Sequence, residues 1–159
     1  MNLENALNKA SQILFNNNIK TSLLDSEILM SKAINKDRRF IISNLRKNID
    51  KNSLCYFDQL VSERASGKPI SYIIGIKEFW KFKFKIIDDV LIPRPDTEIL
   101  VAEALKITKY KKKLMILDIG VGSGCILLSL LKERKDYRGI GIDFSKKCID
   151  LSRLNALSL

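Results

Sequence analysis

Histidine is absent from this 159-residue sequence, and cysteine and proline occur only three times each. The missing histidine excludes a histidine base and a Ser-His-Asp triad. Cys55, Cys125 and Cys148 have no paired spacing, which argues against both a zinc site and a disulfide framework. We therefore expect a protein that binds no metal.

Long apolar runs are missing as well. The longest run falls far short of the roughly 18–20 residues that span a bilayer, and polar residues near the start leave no hydrophobic segment of a signal peptide. The aliphatic content is nevertheless sufficient for a folded core. The sequence thus predicts a globular cytoplasmic protein with no membrane partner.

Acidic residues are outnumbered, and the net charge is +10. The excess is spread along the chain, because residues 1–75 hold 11 basic and 7 acidic side chains and residues 76–159 hold 17 and 11. An even spread is typical of a solvated lysine coat, whereas a basic surface also suits a ribosomal or RNA-bearing partner. Charge alone leaves both interpretations open.

Glycine is sparse, yet three of the seven glycines stand at the alternate positions Gly120, Gly122 and Gly124. The apolar run 114–119 before them is typical of a buried parallel strand. After them, apolar residues recur at helical spacing: Ile126, Leu127, Leu130 and Leu131. This pattern predicts the first half of a βαβ unit, with a turn whose glycines let a ligand approach the main chain.

The residues of this turn restrict the classes of ligand that it could bind. A G-x-G-x-x-G dinucleotide loop needs glycine where Cys125 stands, and no Gly-Lys-Ser/Thr sequence of a Walker A loop occurs. A dinucleotide site and a turn without function remain as alternatives. Further along, a second short strand ends at Asp143, where a carboxylate can accept hydrogen bonds from both ribose hydroxyls. Alternatively, Asp143 starts a helix over residues 146–157, which Ser145 also suits as a cap.

Four helical segments are predicted within residues 1–75. The inward face of the first consists of Leu3, Ala6, Leu7, Ala10, Ile13 and Leu14. The second helix begins at Ser22, and its inward residues are Leu24, Ile28 and Leu29. Asp37 and Ser53 are predicted to cap the third and fourth helices, and Gly67 closes the fourth. No cluster of charged residues or cysteines indicates chemistry here, so we expect this domain to hold a partner.

The hydrophobic period changes to two over residues 80–86, where apolar side chains alternate with lysines. Asp88-Asp89 is the predicted turn, and Val90–Ile92 is the predicted returning strand of a hairpin. Interleaved lysines and aromatics also suit the stacking of nucleic-acid bases, but strict alternation puts them on opposite faces and favours a plain hairpin.

Pro93-Arg94-Pro95 gives a stiff, extended approach to the next predicted helix. Asp96 or Thr97 is the predicted cap of that helix. Its inward residues are Leu100, Val101, Ala104 and Leu105.

Three stretches together resemble the release-factor glutamine methyltransferases, a family of class I S-adenosylmethionine-dependent enzymes. They are Tyr72-Ile73-Ile74-Gly75 with Glu78-Phe79-Trp80, then Leu91–Glu98, and then Asp118–Gly124. The second stretch is diagnostic, because Asp-x-Gly-x-Gly-x-Gly alone is shared by many unrelated methyltransferases. The resemblance implies an α/β protein with a helical substrate-recognition domain over 1–75, a hairpin linker over 76–92, and the first part of a Rossmann-like cofactor domain over 93–159.

The resemblance also implies a function, namely methylation of the glutamine side-chain amide in the Gly-Gly-Gln motif of peptide-chain release factors, with indirect contact to the ribosome. It implies S-adenosyl-L-methionine as cofactor, bound by Asp118, Gly120, Val121, Gly122, Ser123, Gly124 and Asp143. Arg94, Thr97 and Glu98 would line the pocket for cofactor and glutamine, although Arg94 and Glu98 also suit a structural ion pair. Two other functions stay open: a non-catalytic fragment that binds a release factor or another partner, and a nucleic-acid amino-group methyltransferase.

The family orients the amide with an Asn-Pro-Pro-Tyr motif, and this chain contains no adjacent prolines. We therefore expect the chain to be the N-terminal part of the enzyme, with no catalytic residue of its own. The strand over 114–119 would then lack neighbours and expose an apolar edge and face. The expected consequence is a weakly folded C-terminal half or self-association.

Overall fold

The computed structural model describes residues 1–159, which divide into two units, Met1–Ile74 and Gly75–Leu159. The first unit is entirely helical apart from an isolated bridge between Asn2 and Asn48. Its helices are α1 Leu3–Asn16, α2 Ser22–Ile34, α3 Arg38–Ser43, α4 Lys51–Ala65 and α5 Ile70–Ile74. Of these, α5 was not expected from the sequence pattern.

Side-chain caps start three of these helices. Asn2 caps α1, which was not predicted. Asp37 caps α3, as predicted, by accepting a hydrogen bond from the Phe40 N–H at 2.8 Å. The prediction that Ser53 caps α4 is wrong, because Asp50 Oδ1 accepts the Ser53 N–H at 2.9 Å and the helix begins at Lys51. An aspartate and a serine three residues apart both suit a cap, and the upstream residue takes the position.

The core of the first unit is built on the apolar stripes of α1, α2 and α4. Its fully or nearly fully buried members include Leu3, Leu7, Leu14, Leu29, Met30, Ile41, Phe57, Leu60 and Val61. Two residues of this unit that were predicted to face inward are exposed, Ile13 by 37% and Leu24 by 41%, and in the second unit the same holds for Leu100, at 54%. Ile13 lies at the edge of the α1 stripe, and Leu24 is five positions from Leu29, which places it about 140° away around α2.

The inward position near Leu24 belongs instead to a charged residue, Asp25. Its carboxylate is almost completely buried and accepts a hydrogen bond from Arg64 Nε at 2.7 Å. Arg64 Nη1 also donates to the Lys68 carbonyl at 3.0 Å. This paired, hydrogen-bonded arrangement is what allows two charges inside a helical core.

The second unit contains a hairpin, two parallel strands and three longer helices. The hairpin strands are β1 Ile76–Phe79 and β2 Phe82–Lys85, and a 3₁₀ turn at Pro95–Thr97 leads into α6 Glu98–Ile107. The remaining elements are β3 Met115–Ile119, α7 Cys125–Glu133, β4 Arg138–Ile142 and α8 Lys146–Ser158. None of the eight α-helices combines the length and the apolar composition that a membrane span needs.

The hairpin differs from the one predicted. Its turn is at Trp80 and Lys81, the first rung joins Phe79 to Phe82, and Val90–Ile92 forms no strand. Trp80 has a positive φ of 57°, which a tight two-residue turn requires and which the alternating pattern did not reveal. Val90 is buried instead, in a small cluster with Cys148 and Leu151 of α8.

The strands β3 and β4 pair in parallel with each other alone, and α7 connects them as a βαβ unit. The prediction that the first strand is buried on both faces is wrong for one face. The exposed apolar residues of this face are Met115, Leu117, Ile119, Ile140 and Ile142. Their exposure agrees with the expectation that an incomplete sheet leaves an apolar face open.

Candidate functional site

The glycine loop, residues 120–124, is the centre of the candidate site. It connects the end of β3 to the start of α7, and all three glycines have positive φ: 84° at Gly120, 53° at Gly122 and 82° at Gly124. The carbonyl of Ile142 holds the loop by accepting the N–H groups of Gly120 and Val121 at 2.8 and 2.9 Å. The loop is thus fixed to the end of β4.

Two of the glycines leave the main chain open. A Cβ added to Gly120 would meet nothing within 4 Å, and one added to Gly122 would meet only the Gly120 carbonyl oxygen at 4.0 Å. Space of this kind lets a ligand approach the backbone closely. Gly124 has a different role, because a Cβ there would lie 2.9 Å from Leu128 Cδ1, so its small size serves the packing of α7.

Asp143 follows β4 and connects the loop to the start of α8. Its Oδ2 accepts the Gly122 N–H and its Oδ1 accepts the Ser145 N–H, both at 2.9 Å. These two donors, Ser145 first, hold the pKa of Asp143 below its ordinary value. The Cys148 side chain and the Phe144 N–H add to this lowering of the pKa, so several groups of the chain hold the Asp143 carboxylate. Asp143 thus holds the residue that precedes α8, whereas Ser145, the predicted cap, makes no side-chain cap bond.

Asp118 is the second acid of the site. It is half-buried near the end of β3, and burial raises the pKa of its carboxyl, with a further contribution from the charge of Asp143. The structure thus places two carboxyls with opposite pKa shifts at the carboxyl ends of adjacent parallel strands. This edge is where ligands bind in open α/β sheets.

The two non-glycine residues of the loop are both buried. The Val121 side chain packs against Gly141 of β4, where a Cβ would lie 2.6 Å from Val121 Cγ2. Ser123 is 2% exposed. Burial raises the pKa of the neighbouring Cys125 thiol, and a hydrogen bond with the Ser123 hydroxyl opposes this rise.

Asn155 of α8 is a loop contact that the sequence reasoning missed. Its side chain is completely buried, and its amide nitrogen donates to the Ser123 carbonyl at 2.8 Å. The same amide bonds to both backbone groups of Lys85, accepting the N–H at 2.7 Å and donating to the carbonyl at 3.1 Å. A signal was present, because Asn155 continues the inward spacing of Cys148 and Leu151.

The other predicted pocket residues, Arg94, Thr97 and Glu98, make no hydrogen bond to the glycine loop. Arg94 is exposed, while Thr97 and Glu98 are half-buried at the start of α6, where Thr97 makes no side-chain cap bond. No ion pair joins Arg94 to Glu98, so that alternative is wrong. Glu98 Oε1 instead accepts the Trp80 N–H of the hairpin turn at 2.7 Å.

The hairpin turn is held from a second side by Glu133 of α7. Its Oε1 accepts the Trp80 indole Nε1–H at 2.8 Å and lies 2.7 Å from Lys81 Nζ. The lysine first and the indole second lower the pKa of Glu133. The predicted pocket residues Thr97 and Glu98 are therefore near the hairpin, and no hydrogen bond joins them to the glycine loop.

A helical unit followed along the chain by an α/β unit with a glycine loop and an incomplete sheet is consistent with a partial methyltransferase fold. Residues 5–75 match the PrmC N-terminal domain. A release factor glutamine methyltransferase of Buchnera aphidicola subsp. Baizongia pistaciae is 44% identical over 133 residues, 84% of this chain and 48% of the relative. Proteins with the same name from Buchnera aphidicola subsp. Acyrthosiphon pisum and Clostridium acetobutylicum are each 38% identical, over 100% of this chain and 56% of the relative.

Over 84% to 100% of its length, this chain is thus similar to release factor glutamine methyltransferases. It spans about half the length of the curated relatives that it matches.

Proposed function

We propose that this chain provides the substrate-recognition domain and the first part of the cofactor domain of an enzyme that methylates a glutamine side-chain amide. The substrate would be the Gly-Gly-Gln motif of peptide-chain release factors, in keeping with the names of the relatives. The observation that carries the proposal is the open main chain at Gly120 and Gly122 beside the carboxylate of Asp143. A cytoplasmic location and indirect contact with the ribosome are part of the proposal, because release factors act there.

S-adenosyl-L-methionine is the proposed cofactor, and it would supply an electrophilic methyl group when bound. The residues available to hold it are consistent with this assignment. The main chain of Gly120–Gly124 would contact it where no Cβ intervenes, and the half-buried carboxylate of Asp143 would accept hydrogen bonds from the ribose hydroxyls. Asp118 lies at the same strand edge.

An amide nitrogen is a poor nucleophile because its lone pair is delocalised, so the enzyme must orient it for methyl transfer. We assign that task to no residue of this chain, which lacks two adjacent prolines and hence the family's Asn-Pro-Pro-Tyr motif. We propose that Arg94, Thr97 and Glu98 line the pocket for cofactor and glutamine. Glu98 would act there by holding the hairpin turn through its bond to the Trp80 N–H. The helical unit would hold the release factor.

Calorimetry with S-adenosylhomocysteine tests the cofactor site directly. We expect Asp143→Ala to weaken binding at least tenfold, or about 1.4 kcal/mol. The matched control is Asp150→Ala, which removes an exposed acid of α8 that lies 3.9 Å from Arg153 and should leave affinity unchanged. Equal affinities for wild type and Asp143→Ala would contradict the ribose role.

The same titration with a 2′,3′-dideoxy analogue separates direct contact from loop distortion. If Asp143 binds the ribose hydroxyls, Asp143→Ala should cost affinity for the natural nucleoside but little for the analogue. An equal loss for both ligands would indicate that Asp143 acts only by holding the Gly122 N–H.

Binding without catalysis is the second candidate, and it is favoured by the exposed apolar sheet face of an incomplete domain. Pull-down of a release factor by the full chain, with and without S-adenosylhomocysteine, distinguishes the two. Capture that is independent of the nucleoside, together with no calorimetric binding of it, would favour this candidate over an enzyme.

A further inference from the structure

The amide of Asn155 is the only side-chain group that hydrogen-bonds both to the hairpin and to the glycine loop. It is completely buried on the inward face of α8. Through one oxygen and one nitrogen it satisfies three main-chain groups: the Lys85 N–H, the Lys85 carbonyl and the Ser123 carbonyl. Lys85 is the last residue of β2, and Ser123 lies between two glycines of the loop.

No other side chain of similar size performs this task. The Lys85 N–H needs an acceptor, while the two carbonyls each need a donor, and only an amide presents an acceptor and two donors from one planar group. Aspartate has the same shape but loses both donors, and leucine loses all three bonds. An unpaired main-chain group is costly where water does not reach it, which applies to the Ser123 carbonyl because its bond to Asn155 is buried.

The other end of the hairpin is fixed independently. Trp80 in the turn is bonded to Glu98 of α6 through its N–H and to Glu133 of α7 through its indole. Because the turn end is held in this way, any displacement of the hairpin is largest at its other end, where Lys85 bonds to Asn155. Asn155 is the group that would pass this displacement to the carbonyl of Ser123.

We propose that Asn155 is a positioning residue that couples the hairpin to the glycine loop. By fixing the Ser123 carbonyl it orients the peptide unit that joins Ser123 to Gly124, and by fixing Lys85 it makes the hairpin respond to the state of the loop. The ligand side of this inference rests on the proposed function, since it assumes a nucleoside at the loop. Coupling of this kind is reciprocal: a ligand that orders the loop also orders the hairpin.

Amide hydrogen exchange on the full chain tests the coupling, with S-adenosylhomocysteine as the probe. In wild type we expect the nucleoside to slow exchange of the Lys85 N–H at least fivefold, although Lys85 is outside the loop. In Asn155→Asp this distant protection should disappear, and affinity for the nucleoside should fall at least tenfold, or about 1.4 kcal/mol.

The matched control is Leu151→Ala, one turn away on the same face of α8. Leu151 is 1% exposed, so its truncation destabilises the same helix without removing a bond to the loop. We expect its folded fraction to bind the nucleoside within twofold of wild type and to keep the protection at Lys85. A purely structural role for Asn155 would make the two variants alike, which would overturn the proposal.

Failure of the proposed function can be told apart from failure of this inference. If wild type does not bind the nucleoside, the cofactor assignment is wrong. The positioning role of Asn155 is then tested by hydrogen exchange at the Gly122 and Gly124 N–H groups without ligand. Faster exchange there in Asn155→Asp but not in Leu151→Ala would still support loop positioning, and equal rates would overturn it. If Asn155→Asp does not fold but wild type binds the nucleoside, the test is whether the nucleoside slows exchange of the Lys85 N–H in wild type. Unchanged exchange at Lys85 would refute the coupling.

Discussion

Replacing Gly141 by alanine should destabilise the second unit and displace the glycine loop. Gly141 is within β4 and does not have a positive φ, so relief of backbone entropy alone would stabilise the variant by about 0.4–1 kcal/mol. The new Cβ, however, would lie 2.6 Å from Val121 Cγ2 and 3.0 Å from Val121 Cβ. Overpacking of this kind costs about 1–3 kcal/mol, so we expect a net loss of about 1–2 kcal/mol.

Gly139→Ala is the matched control because it is in the same strand. Its Cβ would meet the methyl ends of Leu127 and Leu131, at 2.6 and 3.0 Å, which can move by rotation of flexible side chains. We therefore expect its unfolding free energy to be within about 0.5 kcal/mol of wild type. Urea unfolding monitored by far-UV circular dichroism and by Trp80 fluorescence measures both variants.

A double-mutant cycle identifies the clash. Val121→Ala alone should cost about 2 kcal/mol, because Val121 is 6% exposed and its truncation leaves a cavity. In the Gly141→Ala and Val121→Ala double variant, the new methyl occupies part of that space, so the total loss should be at least 1 kcal/mol smaller than the sum of the single losses. Strict additivity, or a Gly141→Ala variant as stable as wild type, would refute the reasoning.

Three further predictions concern other parts of the protein. Because the pKa of Asp143 is lowered in the folded state, its stabilising effect is complete above the unfolded pKa of about 4 and is lost as the pH falls through the folded pKa. The unfolding free energies of wild type and Asp143→Asn in urea should therefore converge in acid. A constant difference from pH 7 to 3 would contradict this. Asp25→Ala should lower the unfolding free energy by about 3 kcal/mol because it leaves Arg64 buried without its partner, and a change below about 1 kcal/mol in denaturant titration would refute it. Ile142→Lys should reduce self-association through the exposed sheet face in sedimentation velocity, and a wild-type chain that is monomeric at all concentrations would contradict the expectation.

Local signals in the sequence predicted much of the fold. The βαβ unit followed from an apolar run, three glycines and a helical repeat, because each of these depends on residues close together in the chain. The caps at Asn2 and Asp37 depend on contacts three residues away, and Asp37 was identified from the sequence. The hairpin was expected, but its turn was misplaced, because an alternating pattern does not show that Trp80 adopts a positive φ.

The features missed were those decided by distant contacts. Asp25 is buried because Arg64, 39 positions later, reaches its carboxylate. Asn155 is functional in our interpretation because Lys85 and Ser123 meet beside it, 70 and 32 positions away. A sequence pattern predicts that a polar residue is exposed. Only the packed structure shows the partner that makes its burial favourable.

The way in which β4 holds the glycine loop has a consequence for the order of folding. Every rung of the parallel pair joins residues 23 positions apart, from Met115 with Arg138 to Ile119 with Ile142, so its loop-closure cost is small for a parallel ladder. The Ile142 carbonyl that completes this ladder also accepts the Gly120 and Val121 N–H groups. The glycine loop should therefore form in the same folding step as the pairing of β3 with β4, and no bound nucleoside is needed for this step.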